Sequence, residues 1–166
     1  SGDLDPSILF YIMEKEEITM NSLHALLNRH SGLLGLSGYA SDMRDLLEEA
    51  QNGDRRCQQA VDVFCNKVKQ FIGSYIATLN GCDSIIFTAG IGENSAEIRE
   101  RVLTNFDYLG IKIDSEKNQN AKRGEVQKIS AEDSKTDIYV IPTNEELVIA
   151  IDAAKIATAT HQSPWL

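Results

Sequence analysis

The sequence predicts an α/β domain with a helix-rich N-terminal half, and three observations carry this prediction. An apolar run over residues 84–88 ends in a glycine-containing turn, and a helical pattern follows it as far as residue 105. A second apolar run, over residues 137–142, leads into another helical pattern that reaches residue 158. Ahead of both, residues 53–79 repeat apolar side chains every three or four positions, which is typical of an amphipathic helix.

The composition is that of an ordinary soluble globular domain with one core. The chain has 166 residues, of which 42% are hydrophobic and 25% charged. A formal net charge of -9 argues against nonspecific binding to nucleic acid or to an anionic membrane. No apolar run approaches the ~20 residues of a membrane span, and no secretory signal opens the chain. We therefore expect a cytoplasmic protein, and the lack of an initiator Met fits a piece of a longer one.

Cysteine and histidine do not form a metal-binding pattern. Cys57, Cys65 and Cys82 are odd in number and lack the spacing of metal ligands, so reduced thiols are the simplest interpretation. Cys65 falls on the apolar face of the long helix and is expected in the core. His24 and His30 do not share a helical face, which favours surface or capping roles.

Four helices are predicted in the N-terminal half. They cover residues 6–15, 21–29, 42–51 and 53–79. Pro6 suits the first turn of the first helix, and Asp5 suits its N-cap. The glycine-rich residues 31–39 are predicted to form a loop. In the longest helix the aromatic side chains, such as Phe71 and Tyr75, are expected in the core and the charged ones in solvent.

The start of the third predicted helix places a cation where it is mildly unfavourable. Ser41 or Asp42 is the expected N-cap, and Met43 belongs to the apolar stripe. Arg44 lies next to the positive end of the helix and needs an acidic partner, for which Glu48 has the right spacing. The alternative is that Asp42 and Arg44 face a ligand.

The glycine-containing stretch after the first apolar run is the centre of the C-terminal half. Gly90 and Gly92 have no Cβ, so the backbone there can approach a ligand closely. We expect the following helix to start near Asn94, with Asn94 and Glu97 as a local cap and its first N–H groups open to a phosphate. In the same helix Arg99 is expected at the surface, as is Arg101.

Downstream elements are weaker until the last strand and helix. Residues 108–113 and 126–129 are predicted as short strands within a polar, variable stretch. Thr143 and Glu146 have the spacing of a capping box at the head of the last helix, which leaves Glu145 as a free acid. Beyond about residue 159 the tail, with His161 and Trp165, is expected to be loose.

Both polar turns follow a strand, so they are expected to lie at one edge of the sheet. A glycine turn together with an acid at a helix start suits a nucleotide with magnesium. Mg²⁺ takes few protein carboxylates and keeps waters, so Glu145 acting through water is a reasonable ligand. The alternative is that Glu145 only stabilises the positive end of its helix.

Four segments resemble the signatures of one family, the acetate kinases or acetokinases, and occur in that family's order. They are Ser1-Gly2-Asp3-Leu4-Asp5-Pro6, Ser41-Asp42-Met43-Arg44-Asp45, Thr88-Ala89-Gly90-Ile91-Gly92-Glu93-Asn94-Ser95 and Pro142-Thr143-Asn144-Glu145-Glu146-Leu147. The resemblance covers essentially the whole chain, but only about the C-terminal two-fifths of a full-length member.

The resemblance implies a fold and a reaction. The fold is actin/hexokinase-like (ribonuclease H-like), with a central mixed sheet flanked by helices, and residues 1–166 would form the C-terminal nucleotide-binding domain. The reaction is reversible phosphoryl transfer from ATP to acetate, giving acetyl phosphate and ADP, with Mg²⁺ neutralising phosphate charge. Members of the family are usually homodimers joined through this domain.

The resemblance also assigns residues. The family's nucleotide-binding positions match Asp42, Met43, Arg44, Gly90, Ile91 and Asn94, and its magnesium-associated acid matches Glu145. No catalytic residue is assigned here, because the family arginine lies immediately before Ser1. The acetate pocket belongs to the N-terminal part that is absent from the chain, so the 166 residues are expected to lack turnover by themselves.

Three alternatives remain open at this point. A propionate or other short-chain acyl kinase differs only in a pocket outside the chain. In a dinucleotide-binding oxidoreductase domain, Gly90-x-Gly92 would hold a pyrophosphate and Asp114 a ribose, although Ser95 replaces the third glycine and Glu93 adds a negative charge. In a non-catalytic interaction domain, the glycines would only permit close packing.

Overall fold

The computed structural model of the protein describes residues 3–159, with the side chains of Glu145 and Ala159 outside the description. The chain divides into two compact units, residues 1–80 and 81–166. Predictions for the tail beyond residue 159, including His161 and Trp165, lie outside the described residues. Within residues 3–159, no helix combines the length and the apolar character needed to cross a membrane.

The first unit is helical throughout its described part. Its helices are α1 (Pro6–Lys15), α2 (Met20–Arg29), α3 (Gly32–Ser37), α4 (Met43–Gln51) and α5 (Arg55–Leu79). The four predicted helices are confirmed to within two residues at each end. The prediction of a loop over residues 31–39 is wrong, because α3 forms there and ends at Gly38 in the left-handed conformation.

Local caps explain where the longer helices of this unit begin. Asp5 accepts a hydrogen bond from the Ser7 N–H, and Asp54 accepts one from the Cys57 N–H. Each carboxylate satisfies an N–H group that lacks a partner inside its helix. At its other end, α5 stops where Asn80 takes the left-handed conformation.

The core of the first unit comes from α2, α4 and α5. Its buried apolar residues are Leu23, Met43, Leu46, Cys57, Ala60, Val61 and Cys65. The core position of Cys65 is therefore confirmed. Phe71 and Tyr75 were expected beside it but are 50% and 62% exposed, and their rings stack on each other with centroids 6.5 Å apart. The apolar stripe of α5 is longer than the core it covers.

The second unit is built on a three-stranded mixed sheet. Its strands are β1 (Ser84–Phe87), β2 (Gln127–Lys128) and β3 (Asp137–Val140), in the order β1-β3-β2. The strand β3 is parallel to β1 and antiparallel to β2. The prediction of a buried first strand holds for Ile85 but not for Ile86, which is 53% exposed.

Helices connect and follow these strands. They are α6 (Ala89–Asn94), α7 (Ala96–Leu103), a 3-10 turn (Asp107–Leu109), α8 (Ser115–Gln119) and α9 (Glu145–Ala159). The predicted strand over residues 108–113 is wrong: a 3-10 turn occupies its start, and only an isolated bridge joins Ile113 to Ser130. The core of the unit includes Ile85, Ile98, Val102, Leu103, Phe106, Ile111, Ile129, Ile138 and Val140.

Candidate functional site

The two polar turns of the second unit lie side by side. Because β1 and β3 are parallel, with Phe87 opposite Val140, their carboxyl ends meet at one edge of the sheet. There Glu93 Oε1 accepts hydrogen bonds from the Thr143 N–H at 2.8 Å and from the Thr143 hydroxyl at 2.9 Å. These bonds lower the pKa of Glu93. The expected proximity of the two turns is confirmed.

The glycine-containing stretch after β1 is a short helix rather than a loop. α6 starts at Ala89, whose φ of 59° lies in the left-handed region that alanine rarely occupies. The next helix, α7, begins at Ala96 and is capped by Ser95, which accepts from the Ile98 N–H at 3.2 Å. The predicted cap at Asn94 with Glu97, and the open helix start there, are therefore wrong.

Gly90 and Gly92 have different surroundings. A Cβ built on Gly92 would lie 3.3 Å from the carbonyl carbon of Phe87, so close packing against the end of β1 explains this glycine. A Cβ built on Gly90 meets no atom within 4 Å. Packing within the described chain therefore does not account for Gly90, whose exposed backbone leaves room for a ligand.

The other two candidate nucleotide residues of this helix are exposed. Asn94 folds back over α6 and donates from Nδ2 to the Gly90 carbonyl at 2.7 Å. Ile91 is 37% exposed. Gly90, Ile91 and Asn94 thus belong to a single six-residue helix, and displacement of that helix would move all three.

The remaining nucleotide candidates lie in the first unit, at the start of α4. Asp42 caps the helix by accepting from the Arg44 N–H at 2.8 Å. The Arg44 guanidinium also returns to Asp42, with Nε 3.1 Å from Oδ1 and Nη2 2.8 Å from Oδ2. The expected partner Glu48 is therefore not the acid that Arg44 binds. The adjacent guanidinium lowers the pKa of Asp42 to about 2.

Arg44 and Met43 differ sharply in exposure. The Arg44 side chain is 89% exposed, so its bidentate ion pair with Asp42 lies in solvent. Met43 is only 5% exposed and packs in the core of the first unit. A ligand at this helix start would therefore meet the Asp42 and Arg44 side chains but only the backbone of Met43.

The start of α9 departs from the predicted capping box. Asn144 Oδ1 accepts from the Leu147 N–H at 3.0 Å, whereas the Thr143 hydroxyl donates to Glu93. The predicted capping box of Thr143 with Glu146 is therefore wrong, and it gives no reason to single out Glu145 as the free acid. The backbone of Glu145 lies at the first position of α9, shortly after the end of β3.

The described residues contain no cluster of three or more His, Cys, Asp or Glu side chains able to hold a metal. The expectation from the sequence for this edge of the sheet is a single carboxylate, that of Glu145, acting through water. Mg²⁺ accepts such an arrangement, since it usually combines one or two carboxylates with waters and substrate phosphates. The donor chemistry of Glu145 fits that requirement.

Sequence reasoning missed the largest buried polar side chain in the described part of the second unit. Arg99, expected at the surface, is 2% exposed and hydrogen-bonds to Asn118, Gly92 and Glu93. A signal for its burial was present, because position 99 follows Ser95 by four residues and precedes the buried Leu103 by four. The inward stripe of α7 includes it, and only its charge argued otherwise.

The fold is that of the actin/hexokinase-like (ribonuclease H-like) α/β group, as its structural neighbours show. The chain superposes on the crystal structure of Porphyromonas gingivalis acetate kinase with a TM-score of 0.85 and 38% identity, over 95% of this chain and 39% of the other. The structure of a Francisella tularensis propionate kinase gives a TM-score of 0.81 and 39% identity, over 90% of this chain and 38% of the other.

The chain belongs to the acetokinase family, whose sequence model matches residues 1–151. It is 52% identical to the acetate kinase of Syntrophomonas wolfei over 157 residues, which are 95% of this chain and 39% of that protein. It is also 52% identical to the acetate kinase of Methanosarcina thermophila over 155 residues, 93% of this chain and 38% of that protein. The chain thus spans about two-fifths of the length of these relatives.

Family membership removes the support for a dinucleotide-binding oxidoreductase domain and for a non-catalytic interaction domain. The geometry agrees, because Gly90 and Gly92 lie inside α6 rather than in a turn that precedes a helix, as a dinucleotide fingerprint requires. The packing explanation of the interaction-domain alternative holds for Gly92 alone.

Proposed function

We propose that this chain supplies the nucleotide-binding side of an acetate kinase. The whole enzyme transfers the γ-phosphoryl group of ATP to acetate, reversibly, to give acetyl phosphate and ADP. The observation that carries the proposal is 52% identity to an acetate kinase over 95% of the chain. Residues 1–166 act as the C-terminal nucleotide-binding domain of that enzyme.

Asp42, Met43, Arg44, Gly90, Ile91 and Asn94 bind the nucleotide. Gly90 supports this assignment because its backbone is exposed and no protein atom occupies the place of its missing Cβ. The Asp42–Arg44 pair supports it because an exposed ion pair contributes little to stability and can exchange partners at low cost. Met43 takes part through its backbone, since its side chain is buried.

Glu145 holds Mg²⁺ through water, beside the phosphates of the nucleotide. When bound, the ion neutralises phosphate charge during transfer. The chain places Glu145 at the start of α9, and the hydrogen bonds from Thr143 to Glu93 tie that turn to α6, which carries Gly90.

Turnover requires more than these 166 residues. The resemblance assigns no catalytic residue to this chain and places the acetate pocket in the N-terminal part of the enzyme. The isolated chain should therefore bind nucleotide without forming acetyl phosphate, and detectable acetyl phosphate from ATP and acetate would contradict this. The enzyme is expected to be a cytoplasmic homodimer that binds neither nucleic acid nor membrane, in keeping with a net charge of -9.

A propionate kinase is the second candidate. The similarity to the Francisella tularensis propionate kinase, 39% identical over 90% of the chain, favours it as a related activity. Steady-state kinetics of the full-length enzyme with acetate and propionate would decide between the two through the ratio of kcat/KM values.

Calorimetric titration of the chain with ADP and Mg²⁺ tests the nucleotide assignment. Gly90→Ala should weaken binding about tenfold or more, because a methyl group would occupy the space where the ligand approaches. Gly73→Ala is the matched control, since Gly73 is also helical and its Cβ would also meet no atom within 4 Å. Asp42→Asn should weaken binding as well.

Two outcomes would count against the proposal. One is an unchanged dissociation constant for Gly90→Ala, which would remove Gly90 from the site. The other is no heat of binding at millimolar ADP with the unsubstituted chain, which would mean that these residues form no nucleotide site by themselves. Binding of NAD in preference to ADP would revive the dinucleotide alternative.

A further inference from the structure

A buried arginine, Arg99, binds the C-terminal end of α6, the helix that carries Gly90, Ile91 and Asn94. Arg99 Nη1 donates to the carbonyl oxygens of Gly92 and Glu93, each at 2.9 Å. These two carbonyls belong to the last turn of α6, where helix carbonyls have no partner within the helix. Arg99 thus supplies donors to two carbonyls of α6 at the end opposite to β1.

Asn118 orients the guanidinium. It is fully buried on α8, where its Oδ1 accepts from Arg99 Nε at 2.7 Å and its backbone carbonyl accepts from Nη2 at 2.9 Å. Its own Nδ2 donates to the Ala96 carbonyl at 2.9 Å, which ties it to the start of α7. Arg99 and Asn118 therefore join three helices, α6, α7 and α8, through five buried or half-buried hydrogen bonds.

Burying the Arg99 guanidinium costs free energy that filling the same space with an apolar side chain would not. Burial removes water from the guanidinium and lowers the pKa of Arg99, and the four acceptors named above are oxygens of uncharged groups. An aliphatic side chain would fill the same volume without desolvating a charge, but it would leave these four oxygens without their donor. What it cannot do is hold two successive carbonyls with a planar, rigid fork of donors.

The helix it holds needs such support. α6 has six residues and starts from a left-handed alanine, so its own hydrogen bonds do not fix its position. A cation at the carboxyl end of a helix is also attracted by the partial negative charge there, which stabilises the helix. The Glu93 carboxylate of α6 also accepts hydrogen bonds from Thr143. The helix is therefore held by two sets of hydrogen bonds, while Gly90 remains exposed.

We propose that Arg99, oriented by Asn118, is a positioning residue that fixes α6 so that Gly90, Ile91 and Asn94 present one surface to the nucleotide. The inference rests on the nucleotide-binding role proposed above. Neither residue contacts the ligand, and both act through the backbone of residues 92–93.

The test compares Arg99→Lys with Arg101→Lys in the 166-residue chain. Lysine keeps the charge, but its single ammonium group cannot reach all the acceptors that the guanidinium binds. Arg101 lies on the same helix and pairs with Glu97 at 2.5 Å on a partly exposed face, so it is a matched control. Two quantities are measured: amide hydrogen exchange of residues 89–95 without ligand, and the dissociation constant of ADP with Mg²⁺.

Arg99→Lys should speed exchange of the α6 amides and weaken ADP binding, each by about tenfold. Arg101→Lys should change neither by more than about twofold. Unchanged exchange in Arg99→Lys would overturn the positioning role. Faster exchange with an unchanged dissociation constant would overturn its link to the nucleotide. If the unsubstituted chain binds no ADP, the proposed function fails, and the exchange data still decide whether Arg99 fixes α6.

Asn118→Leu is the second variant, for the case that Arg99→Lys does not fold. Leucine has nearly the shape of asparagine, but it offers neither the acceptor for Arg99 Nε nor the donor to the Ala96 carbonyl. This variant should also speed amide exchange in α6 and weaken ADP binding, each by a smaller factor than Arg99→Lys. Exchange and binding both equal to those of the unsubstituted chain would contradict the role of Asn118.

Discussion

Arg44 and Arg99 show two opposite uses of an arginine in this chain. The side chain of Arg44 is 89% exposed and pairs with Asp42, two residues before it. Arg99 is 2% exposed and bonds to a buried asparagine and to backbone carbonyls of another helix. An exposed pair contributes little to folding, whereas a buried donor leaves unsatisfied acceptors when it is removed. Arg44 can therefore change partners when a ligand arrives, and Arg99 cannot.

The largest expected effect is a difference in the free energy of unfolding when each of these two arginines is replaced by methionine. Arg99→Met should lower the free energy of unfolding by about 3 kcal/mol, because several buried acceptors lose their donor. Arg44→Met should leave it nearly unchanged, because its pair lies in solvent. Urea denaturation of both variants at neutral pH measures the difference. Equal destabilisation by the two substitutions would contradict the contrast.

What the sequence predicted correctly was mostly local. Asp5 lies next to the helix that it caps, and the repeat of apolar residues in α5 is visible without knowing any other part of the chain. The two firm strands were also found, because runs such as residues 137–142 are short, apolar and β-branched. The proximity of the two polar turns followed from the parallel pairing of those strands.

The features that could not be predicted from the sequence depend on partners far along the chain, or on more than the spacing of charged residues and glycines. Arg99 can be buried because Asn118, nineteen positions away, accepts a hydrogen bond from its Nε, and no local sequence pattern predicts that bond. Gly90 and Gly92 suggested a loop, yet both lie in a helix, because Arg99 and Glu93 fix that segment from outside. Arg44 was assigned a partner one helical turn later, although a capping aspartate two residues earlier can bind its backbone and side chain together.

The second prediction sharpens the contrast between the two glycines of α6. Alanine favours helix over glycine by up to about 1 kcal/mol, so Gly90→Ala should leave the protein as stable as before or more so. In Gly92→Ala the new methyl group would lie 3.3 Å from the Phe87 carbonyl carbon and would offset that gain. We expect Gly92→Ala to be less stable than Gly90→Ala by about 1 kcal/mol.

Thermal unfolding of the two variants measures this difference. The informative combination is a Gly90→Ala protein that is stable and yet binds ADP weakly, since it would show that the glycine serves the ligand rather than the fold. Lower stability of Gly90→Ala than of Gly92→Ala would mean that the backbone at position 90 is under a constraint which the open space around it does not reveal.

The third prediction distinguishes Ser95 from Asn94 as the cap of α7. Ser95→Ala should cost about 1 kcal/mol of unfolding free energy, because the Ile98 N–H loses its acceptor. Asn94→Ala should cost at most a few tenths, since its side chain binds only an exposed carbonyl of α6. Urea denaturation compares them, and a larger loss in Asn94→Ala would restore the cap inferred from the sequence.

The smallest expected effect concerns pH and the bond between the two turns. The hydrogen bonds from Thr143 lower the pKa of Glu93 below its ordinary value of 4.5. A carboxyl group with a lowered folded-state pKa stabilises the protein above its unfolded-state pKa, and this contribution is lost as the pH falls through the folded-state value. The stability difference between the unsubstituted protein and Glu93→Gln should therefore be largest near neutral pH and should shrink below about pH 4.

Chemical denaturation at pH 7 and at pH 3 measures that difference. Thr143→Val is the complementary variant: it removes the hydroxyl donor and keeps the N–H donor, so it should shift the pKa of Glu93 part of the way back and reduce the same pH dependence. A difference between the unsubstituted protein and Glu93→Gln that stays constant from pH 7 to pH 3 would mean that the carboxylate does not hold the two turns together. The connection between α6 and the turn before α9 would then depend on the sheet alone, through the bond from the Ile141 N–H to the Phe87 carbonyl.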